Sequence, residues 1–367
     1  MSDKNSISRE ALARAASLVR PALSSQNYIP SLTHVRFQDG WATAYNDITA
    51  IGVKSPLEEL DACLPGELMI KALSGFGASE VAIQENRKEA SVVISSGRSK
   101  LKLHTLPSKD FPFEWPEGDS VEVELNEEIL KGIERCLISV GSDPTHPAQM
   151  GVTLESDDAG QALLFSTDNF TISRFHAKSK GSKIKLPGGS PVILPTFFCE
   201  QLVLLSKTFA DDDVTLHLFP GAIMAVIGDK AQLFTKSPVD LEPIDFSKMV
   251  SKYFKVDSVV KMHQRIPDGF EAALGRALLV LSSSADKVTK FEVTDSYVKL
   301  STSSDLGDSK DSLKFECDEG SEDPFHVDPS LVSRASKVCS NVTFLDRVLL
   351  LSNDDASFVH MISHCSA

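Results

Sequence analysis

The sequence predicts an α+β protein written as three tandem repeats, in each of which two helices pack on antiparallel sheets. Three observations predict it. A turn followed by an amphipathic helix occurs three times: LPGELMIKALSGFG (Leu64 to Gly77), LPTFFCEQLVLLSKTF (Leu194 to Phe209) and VDPSLVSRASKVCS (Val327 to Ser340). The second begins 130 residues after the first, and the third 133 residues after the second. Each is followed by short segments that alternate apolar and polar residues, such as VAIQEN, DVTLHLFPG and VTFLDR. Period-two alternation is the signature of a strand with one buried face.

A second helix opens each repeat: SREALARAASLVRPAL, then NEEILKGIERCLISV, then PDGFEAALGRALLVLSSS. Each has Ser, Asn or Asp near its start, the residue types that cap exposed backbone N–H groups. Strands follow, with hairpin turns at QDG, DDAG and TDS. In the other helix of each repeat, a proline (Pro65, Pro195, Pro329) is expected just inside the start, where its missing N–H costs nothing. Each unit then spans roughly 120 residues, an ordinary domain size. The expected domains are 1–118, 119–255 and 256–367. The first boundary follows the Pro-rich FPFEWPEGD, and the second lies in SPVDLEPIDFSKMVSKYFKVD. Any α+β chain shows helices followed by strands; three copies in one order at near-constant spacing are harder to obtain without repetition.

The totals bound the function. The 367 residues carry a formal charge of -14, which alone argues against a nucleic-acid partner. Net charge does not report how charge is arranged. The six cysteines form no CxxC pair and hold no zinc-ligand spacing, so reduced, buried thiols are expected. The first twenty residues lack the apolar run of a signal peptide, and no stretch reaches the ~18 apolar residues of a spanning helix. The expectation is a soluble intracellular protein.

At Ser96 to Pro112 the chain reads SGRSKLKLHTLPSKDFP, which resembles the end of the first domain in bacterial beta sliding clamps. YNDIT (Tyr45 to Thr49), MGVTLES (Met150 to Ser156) and STDNF (Ser166 to Phe170) resemble further landmarks of that family, in the same order. The resemblance covers essentially the whole chain and is strong at these islands. It implies three DNA-clamp domains per chain. It also implies a ring closed by a head-to-tail homodimer, and a non-catalytic processivity factor that encircles double-stranded DNA without reading its sequence. Polymerase and clamp loader would be held through a short peptide motif. Neither cofactor nor membrane is implied. The cell compartment would be the bacterial cytoplasm or nucleoid, or a phage-infected host.

In such a clamp the helices line the hole. Their bases are Arg9, Arg14, Arg20, Lys71, Lys131, Arg135, Lys207, Arg276, Arg334 and Lys337, ten against eight helix acids, while the whole chain is strongly acidic. The acids crowd helix starts, where the helix dipole favours them. A mildly positive bore and an acidic exterior would follow. Phosphate contacts suit a sliding protein because they carry no sequence information. A second basic stretch, SRFHAKSKGSKIK, adds Lys178 and Lys180 to the expected DNA-facing set. For any single base, a solvated surface is the plainer reading; the expectation rests on the set.

Matching by position, the partner-peptide cleft would comprise Thr167, Ile172, Pro243, Lys248, Met249, Val359 and Met361. Aliphatic and Met side chains make adaptable pockets. Core packing is the alternative for Ile172, Val359 and Met361. The chain departs from the family here. Asn169 and Phe170 stand where Gly and His are usual, Lys248 where Arg is usual, and the ending HMISHCSA is atypical. Gln26 replaces an Arg that the family often carries before its first-domain Pro. Such changes fit a divergent clamp, as one encoded by a phage for its own polymerase would be.

Catalytic and metal motifs are lacking: no Gly-rich phosphate loop, no HExxH and no GxSxG. Asp143 and His146 in SDPTHP read as surface turn residues rather than a catalytic pair. Asp47 and Asp168 are taken as equivalent turn-formers in successive repeats. Two alternatives remain: a clamp-like protein scaffold that is never loaded on DNA, and a metal-dependent hydrolase with acidic ligands.

Overall fold

The computed structural model describes residues 6–26, 28–237, 241–251, 264–285, 287–316, 323–345 and 348–365. Among them are twenty-four strands and seven α-helices. The expected boundary at 255–256 lies outside the described residues.

The described residues of Met1–Leu125 and Glu200–Val239 form one compact unit. Its eight-stranded antiparallel sheet runs in the order β5 (Ala62–Pro65), β2 (His34–Gln38), β3 (Trp41–Tyr45), β4 (Thr49–Lys54), β16 (Ala231–Lys236), β15 (Ala222–Ile227), β14 (Val214–Phe219), β9 (Val121–Glu124). Strands of the first and second repeats therefore meet at the β4–β16 pair, where Ala50 faces Phe234 and Thr49 faces Thr235. A four-stranded sheet adds β1 (Ser6–Ser8), β6 (Glu80–Asn86), β7 (Ser91–Ser96) and β8 (Ser99–His104).

The described residues of Asn126–Cys199 and Asp240–Ala367 form the second unit, built in the same way. Its eight-stranded sheet runs β13 (Val192–Pro195), β10 (Gly151–Ser156), β11 (Ala162–Thr167), β12 (Thr171–His176), β24 (Phe358–Ser363), β23 (Val348–Ser352), β22 (Asn341–Leu345), β17 (Gln264–Arg265). Here strands of the second and third repeats meet at β12–β24, with Ile172 facing Met361 and Ser173 facing His360. The four-stranded sheet is β20 (Gly307–Lys314), β19 (Tyr297–Ser304), β18 (Thr289–Val293), β21 (Phe325–Val327).

Helices cover one face of the large sheets. Helix α1 (Arg9–Val19) packs on β3 and β4 and against α2 (Gly66–Gly75). Helix α3 (Glu127–Cys136) packs on β11 and β12. It comes so close that a Cβ on Gly132 would stand 2.6 Å from the Phe175 ring. Ser8 and Asn126 cap α1 and α3 through Ala11 N and Ile129 N, as their positions predict. The corresponding helix of the third repeat, α6 (Phe270–Val280), is entered differently. Its N-cap is Gly269 in the left-handed region, without a side-chain cap. The remaining helices are α4 (Thr196–Thr208), α5 (Phe246–Ser251) and α7 (Pro329–Ser336). The proline expectation holds for Pro329 alone. Pro65 and Pro195 end strands β5 and β13 and precede their helices. A residue without an N–H ends a ladder as readily as it opens a helix.

Linker chain covers the opposite face. In the first unit FPFEW lies over the β4–β16 joint. Phe111 and Phe113 are buried with Leu32, Tyr45, Ala50, Cys63 and Phe234, and Trp115 packs against them. Gly52 makes room for the Trp115 ring, 2.7 Å from where a Cβ would be. Arg36, 5% exposed, fixes the linker by donating to Phe113 O (3.1 Å) and Glu114 Oε1 (2.9 Å), with Phe111 4.9 Å from its guanidinium. In the second unit Phe246 of α5 stacks on Phe165, ring centroids 5.0 Å apart and planes 4° from parallel.

Register also corrects one equivalence. Asp168 matches Asn46, not Asp47. Each takes its loop's backbone on a side-chain oxygen: Ile48 N and Thr49 N on Asn46, Phe170 N and Thr171 N on Asp168. Asp47 matches Asn169, and both hold a positive φ (79° and 73°). Asp and Asn tolerate that conformation better than most residues.

On the helix side of β12–β24 lies a buried polar cluster. His360 Nδ1 is 2.9 Å from Ser173 Oγ and 3.3 Å from Ser139 Oγ, and Thr171 Oγ1 is 2.9 Å from Ser139 Oγ. The Nε2 atom is buried with no hydrogen-bond partner among the described residues. Burial pushes the imidazole from 6.5 down to about 3. Below pH 6.5 the unfolded chain takes up a proton that the folded chain refuses. Stability is therefore lost as pH falls from 6.5 towards 3, by about 1.4 kcal/mol per unit from this residue. Measured by chemical denaturation, the stability of the protein relative to its His360→Gln variant should fall by this amount per unit as pH drops from 6.5 to 5. An identical pH profile in the variant would refute the assignment.

Candidate nucleic-acid interface and partner cleft

Eight of the ten helix bases are exposed, whereas Arg9 is half-buried and donates to Leu73 O (3.4 Å) and Phe76 O (2.8 Å). Arg14, Arg20, Lys71, Lys131, Lys207, Arg276, Arg334 and Lys337 are exposed. Several are engaged. Arg20 makes a two-point ion pair with Glu67 (2.7 and 3.0 Å), and Arg276 binds Asp311 at 2.6 Å. Arg14 reaches Thr208 O at 3.4 Å and lies over Phe209. Arg135 differs: it is only partly exposed, sits 5.5 Å from the Phe358 ring centre and has a buried Nη1. Its spacing along α3 could not reveal that its guanidinium turns inward.

The second basic stretch leaves β12 and folds back on the start of α3. Lys178, Lys180, Lys183 and Lys185 are exposed, whereas Ser182, Ile184 and Leu186 are buried. Lys178 Nζ donates to Asp355 O at 3.0 Å.

Seven positions matched to a peptide cleft come together on the face of the β11–β12–β24–β23 sheet under α5. Ile172, Val359 and Met361 are 7%, 2% and 5% exposed and form one cluster with Phe165, Phe246 and Val250. Thr167 is 2% exposed and donates to Thr171 O. Pro243 and Met249 are partly exposed, and Lys248 is exposed. Four of the seven are thus sheet core, and the connector supplies the accessible three. Phe170 is 64% exposed on the adjoining turn, which is tied to β24 by Ser363 N and Oγ donating to its carbonyl, both at 2.9 Å. Sequence reasoning missed Phe165 and Phe246. A Phe three residues after Pro243 in a polar connector was the available signal.

It also missed Glu155. This β10 residue faces Leu163 on the connector side. Burial, with Asp245 as a like-charged neighbour, pushes its carboxyl up to about 7. Asp245 in turn accepts Lys248 N at 2.9 Å at the start of α5. Asp143, by contrast, accepts Thr145 N and Oγ1 and His146 N donates to its carbonyl, so SDPTHP is a self-contained turn.

Repeated α+β units whose adjoining strands fuse into shared sheets, with helices on one face and linkers on the other, define a narrow class of fold. No protein-family model matches the chain. The chain is 22% identical to the beta sliding clamp of Lactococcus lactis subsp. lactis (strain IL1403) over 391 residues, covering 98% of each. It is 20% identical to that of Caulobacter vibrioides (strain NA1000 / CB15N) over 263 residues, 68% of each. Among solved structures, it superposes on a putative DNA polymerase III beta subunit from Eubacterium rectale ATCC 33656 with a TM-score of 0.83, at 16% identity and 99% coverage of both chains. The DNA polymerase III beta subunit of Thermotoga maritima gives 0.82 at 15% identity, again with 99% of each chain covered. The chain therefore has the fold of the bacterial beta sliding clamps. The likeness first seen at Ser96 to Pro112 extends along its length, with sequence far diverged from these relatives.

Glu155 yields a stability prediction of opposite sign to that of His360. Its carboxyl is charged and poorly solvated above pH 7, and its cost is lost progressively as pH falls from 7 towards 4.5. Glu155→Gln should raise stability at pH 8 by on the order of 1–3 kcal/mol. It should change little at pH 5, as read from denaturant midpoints. A loss at pH 8 would show that the carboxylate is held by contacts that favour its charge.

Proposed function

We propose that this chain is a DNA sliding clamp: a non-catalytic processivity factor that encircles double-stranded DNA and tethers a replicative polymerase. The observation that carries the reading is the clamp fold over 99% of the chain, joined to exposed helix bases on an acidic protein. In this reading the three domains are 1–118, 119–255 and 256–367, and the shared sheets weld successive domains. Retention is topological, so weak, sequence-blind phosphate contacts suffice.

The ring is a head-to-tail homodimer. Two unpaired sheet edges support it. Strand β8 lies at the rim of its four-stranded sheet with Lys100 and Lys102 exposed and Arg98 beside it. Strand β20 lies at the rim of the other and is of mixed charge, with Asp308, Lys310 and Lys314 exposed and Asp305 in the preceding turn. An edge strand is a template for pairing with another chain. A heterologous contact that closes gives a ring rather than a fibre. Light scattering should report twice 39.9 kDa across a concentration series. A persistent monomer would remove the closed ring and favour a scaffold that is not loaded on DNA.

Lys71, Lys131 and Lys337 are the DNA-facing positions best suited to a test, because Arg276 and Arg20 hold acidic partners whose loss would disturb folding. Reversing all three to Glu should shorten retention on circular DNA at least tenfold at moderate salt and leave the melting temperature nearly unchanged. Unchanged retention would overturn the bore assignment.

Polymerase and loader dock by a short peptide in the cleft under α5. Ile172 and Met361 are core, so a polar residue there unfolds the sheet before it tests docking. Met249→Ala with Lys248→Glu leaves the buried residues of the cluster unchanged and trims only a partly exposed side chain that packs against it. The pair should abolish polymerase stimulation and spare the ring; full stimulation would place the docking site elsewhere.

A further inference from the structure

We propose that Glu128 is a positioning residue for DNA, the clasp that turns the lysine segment 180–185 into a fixed phosphate-contact strip; this rests on the clamp reading above. An acid in the first turn of a DNA-facing helix would ordinarily count as dipole stabilisation and as mild repulsion of phosphate. The structure gives Glu128 another task. One carboxylate oxygen accepts Lys178 N at 3.0 Å, and the other accepts Ser179 N at 2.9 Å and Ser182 Oγ at 2.8 Å. Asn126, the cap of α3, donates from Nδ2 to Ser182 Oγ at 2.9 Å. Ser182 is fully buried. These bonds hold the carboxyl down to about 2 although burial opposes it, so the clasp stays charged at any physiological pH.

Beyond the clasp the chain is held from its other side as well. Gln161 Nε2 donates to Lys178 O at 3.0 Å, and Ile184 N donates to Gly160 O at 2.8 Å. Alternation then sorts the side chains. Ser182, Ile184 and Leu186 go inward, and Lys183 and Lys185 outward, with Lys180 exposed on the turn before them. Three flexible ammonium groups on a backbone fixed at both ends pay less entropy on meeting phosphate than the same groups on a loose loop. Lys178 stands apart from the strip, its ammonium reaching across to Asp355 O at 3.0 Å.

Charge alone and positioning predict opposite signs, which makes a double-mutant cycle decisive. Binding of the full-length protein to double-stranded DNA would be followed by fluorescence anisotropy over a salt series. The variants are Glu128→Gln, the triple change of Lys180, Lys183 and Lys185 to Ser, and their combination. The triple change should lower the slope of log affinity against log salt by about two to three. Glu128→Gln should weaken binding several-fold despite removing a negative charge, and should have no further effect in the triple background. Hydrogen exchange should show the Lys178 and Ser179 amides losing protection while the β12 amides keep theirs, which separates a freed loop from an unfolded unit. Tighter binding by Glu128→Gln, or an equal effect in both backgrounds, would overturn the proposal. A triple variant with unchanged affinity and slope would overturn it too, and would leave the clamp reading standing. A parent protein that binds no DNA at low salt would overturn the proposal, while the clamp reading, which rests on topological retention, would be judged by the ring mass and by retention on circular DNA.

Discussion

Everything in this chain depends on two strand pairs, β4 with β16 and β12 with β24. Each joins strands from different repeats, so neither half of a large sheet has a free edge at the joint. Edge strands are the weak point of antiparallel sheets. Fusing neighbouring repeats removes two such edges in each unit and gives helices on one side a continuous floor. Side chains alternate across a sheet, so a one-residue slip at either joint would move every core residue to the wrong face. That constraint bears on the turns beside the joints, which are closely specified. Asn46 and Asp168 each hold the turn by two backbone bonds, and the next residue in each case takes a positive φ.

The two faces of each joint have separate tasks. The helix face is fixed by close approach, as at Gly132 under Phe175. The linker face is fixed by aromatic insertion. In the first unit Arg36 and FPFEW close it completely. In the second, α5 closes it with one stacked phenylalanine and leaves Pro243, Lys248 and Met249 accessible. This cover rests on Phe246 and Val250, with Ile244 and Met249 packed against the same cluster, and it lies near a carboxyl, Glu155, that burial pushes up to about 7. His360 and Glu155 stand on opposite faces of that sheet, with pH dependences of opposite sign. Between pH 7 and 5 they partly cancel, so the joint keeps a flatter stability profile than either group alone would give.

Much of this was legible in the sequence because repetition multiplies weak signals. Three helix–strand cycles at near-constant spacing gave the element order, and QDG and DDAG marked real hairpins at Gly40 and Gly160. The fusion of sheets between repeats was not legible. Strand pairing across such a distance leaves no local trace, and β16 reads like any alternating strand. The cleft positions followed from a family likeness, yet their burial did not. Ile172 and Met361 are apolar whether they line a groove or fill a core. Long side chains were the other blind spot. Arg135 and Arg14 share a helix-surface pattern with Lys131, but one lies against Phe358 and the other over Phe209. Side-chain direction beyond the Cβ is set by tertiary neighbours that spacing does not reveal.

Divergence to 22% identity with the Lactococcus lactis clamp has not cost the fold, and the constraints above explain why. What the joints demand is pattern: apolar residues at alternate positions, an acceptor side chain at the turn, a residue tolerant of positive φ after it. Many sequences satisfy that. The positions free to change are those that meet solvent, and the departures at Asn169, Phe170 and Lys248 lie there. Asn169 keeps the positive φ of the turn, at 73°, and accepts a bond from Gln149. Phe170 contributes its carbonyl to Ser363 and leaves its ring 64% exposed. Neither change is opposed by the sheet, and both alter the exposed surface beside β24. A scaffold constrained by pattern and a rim constrained only by its partner can evolve separately. That is the condition under which the fold persists while its surface diverges.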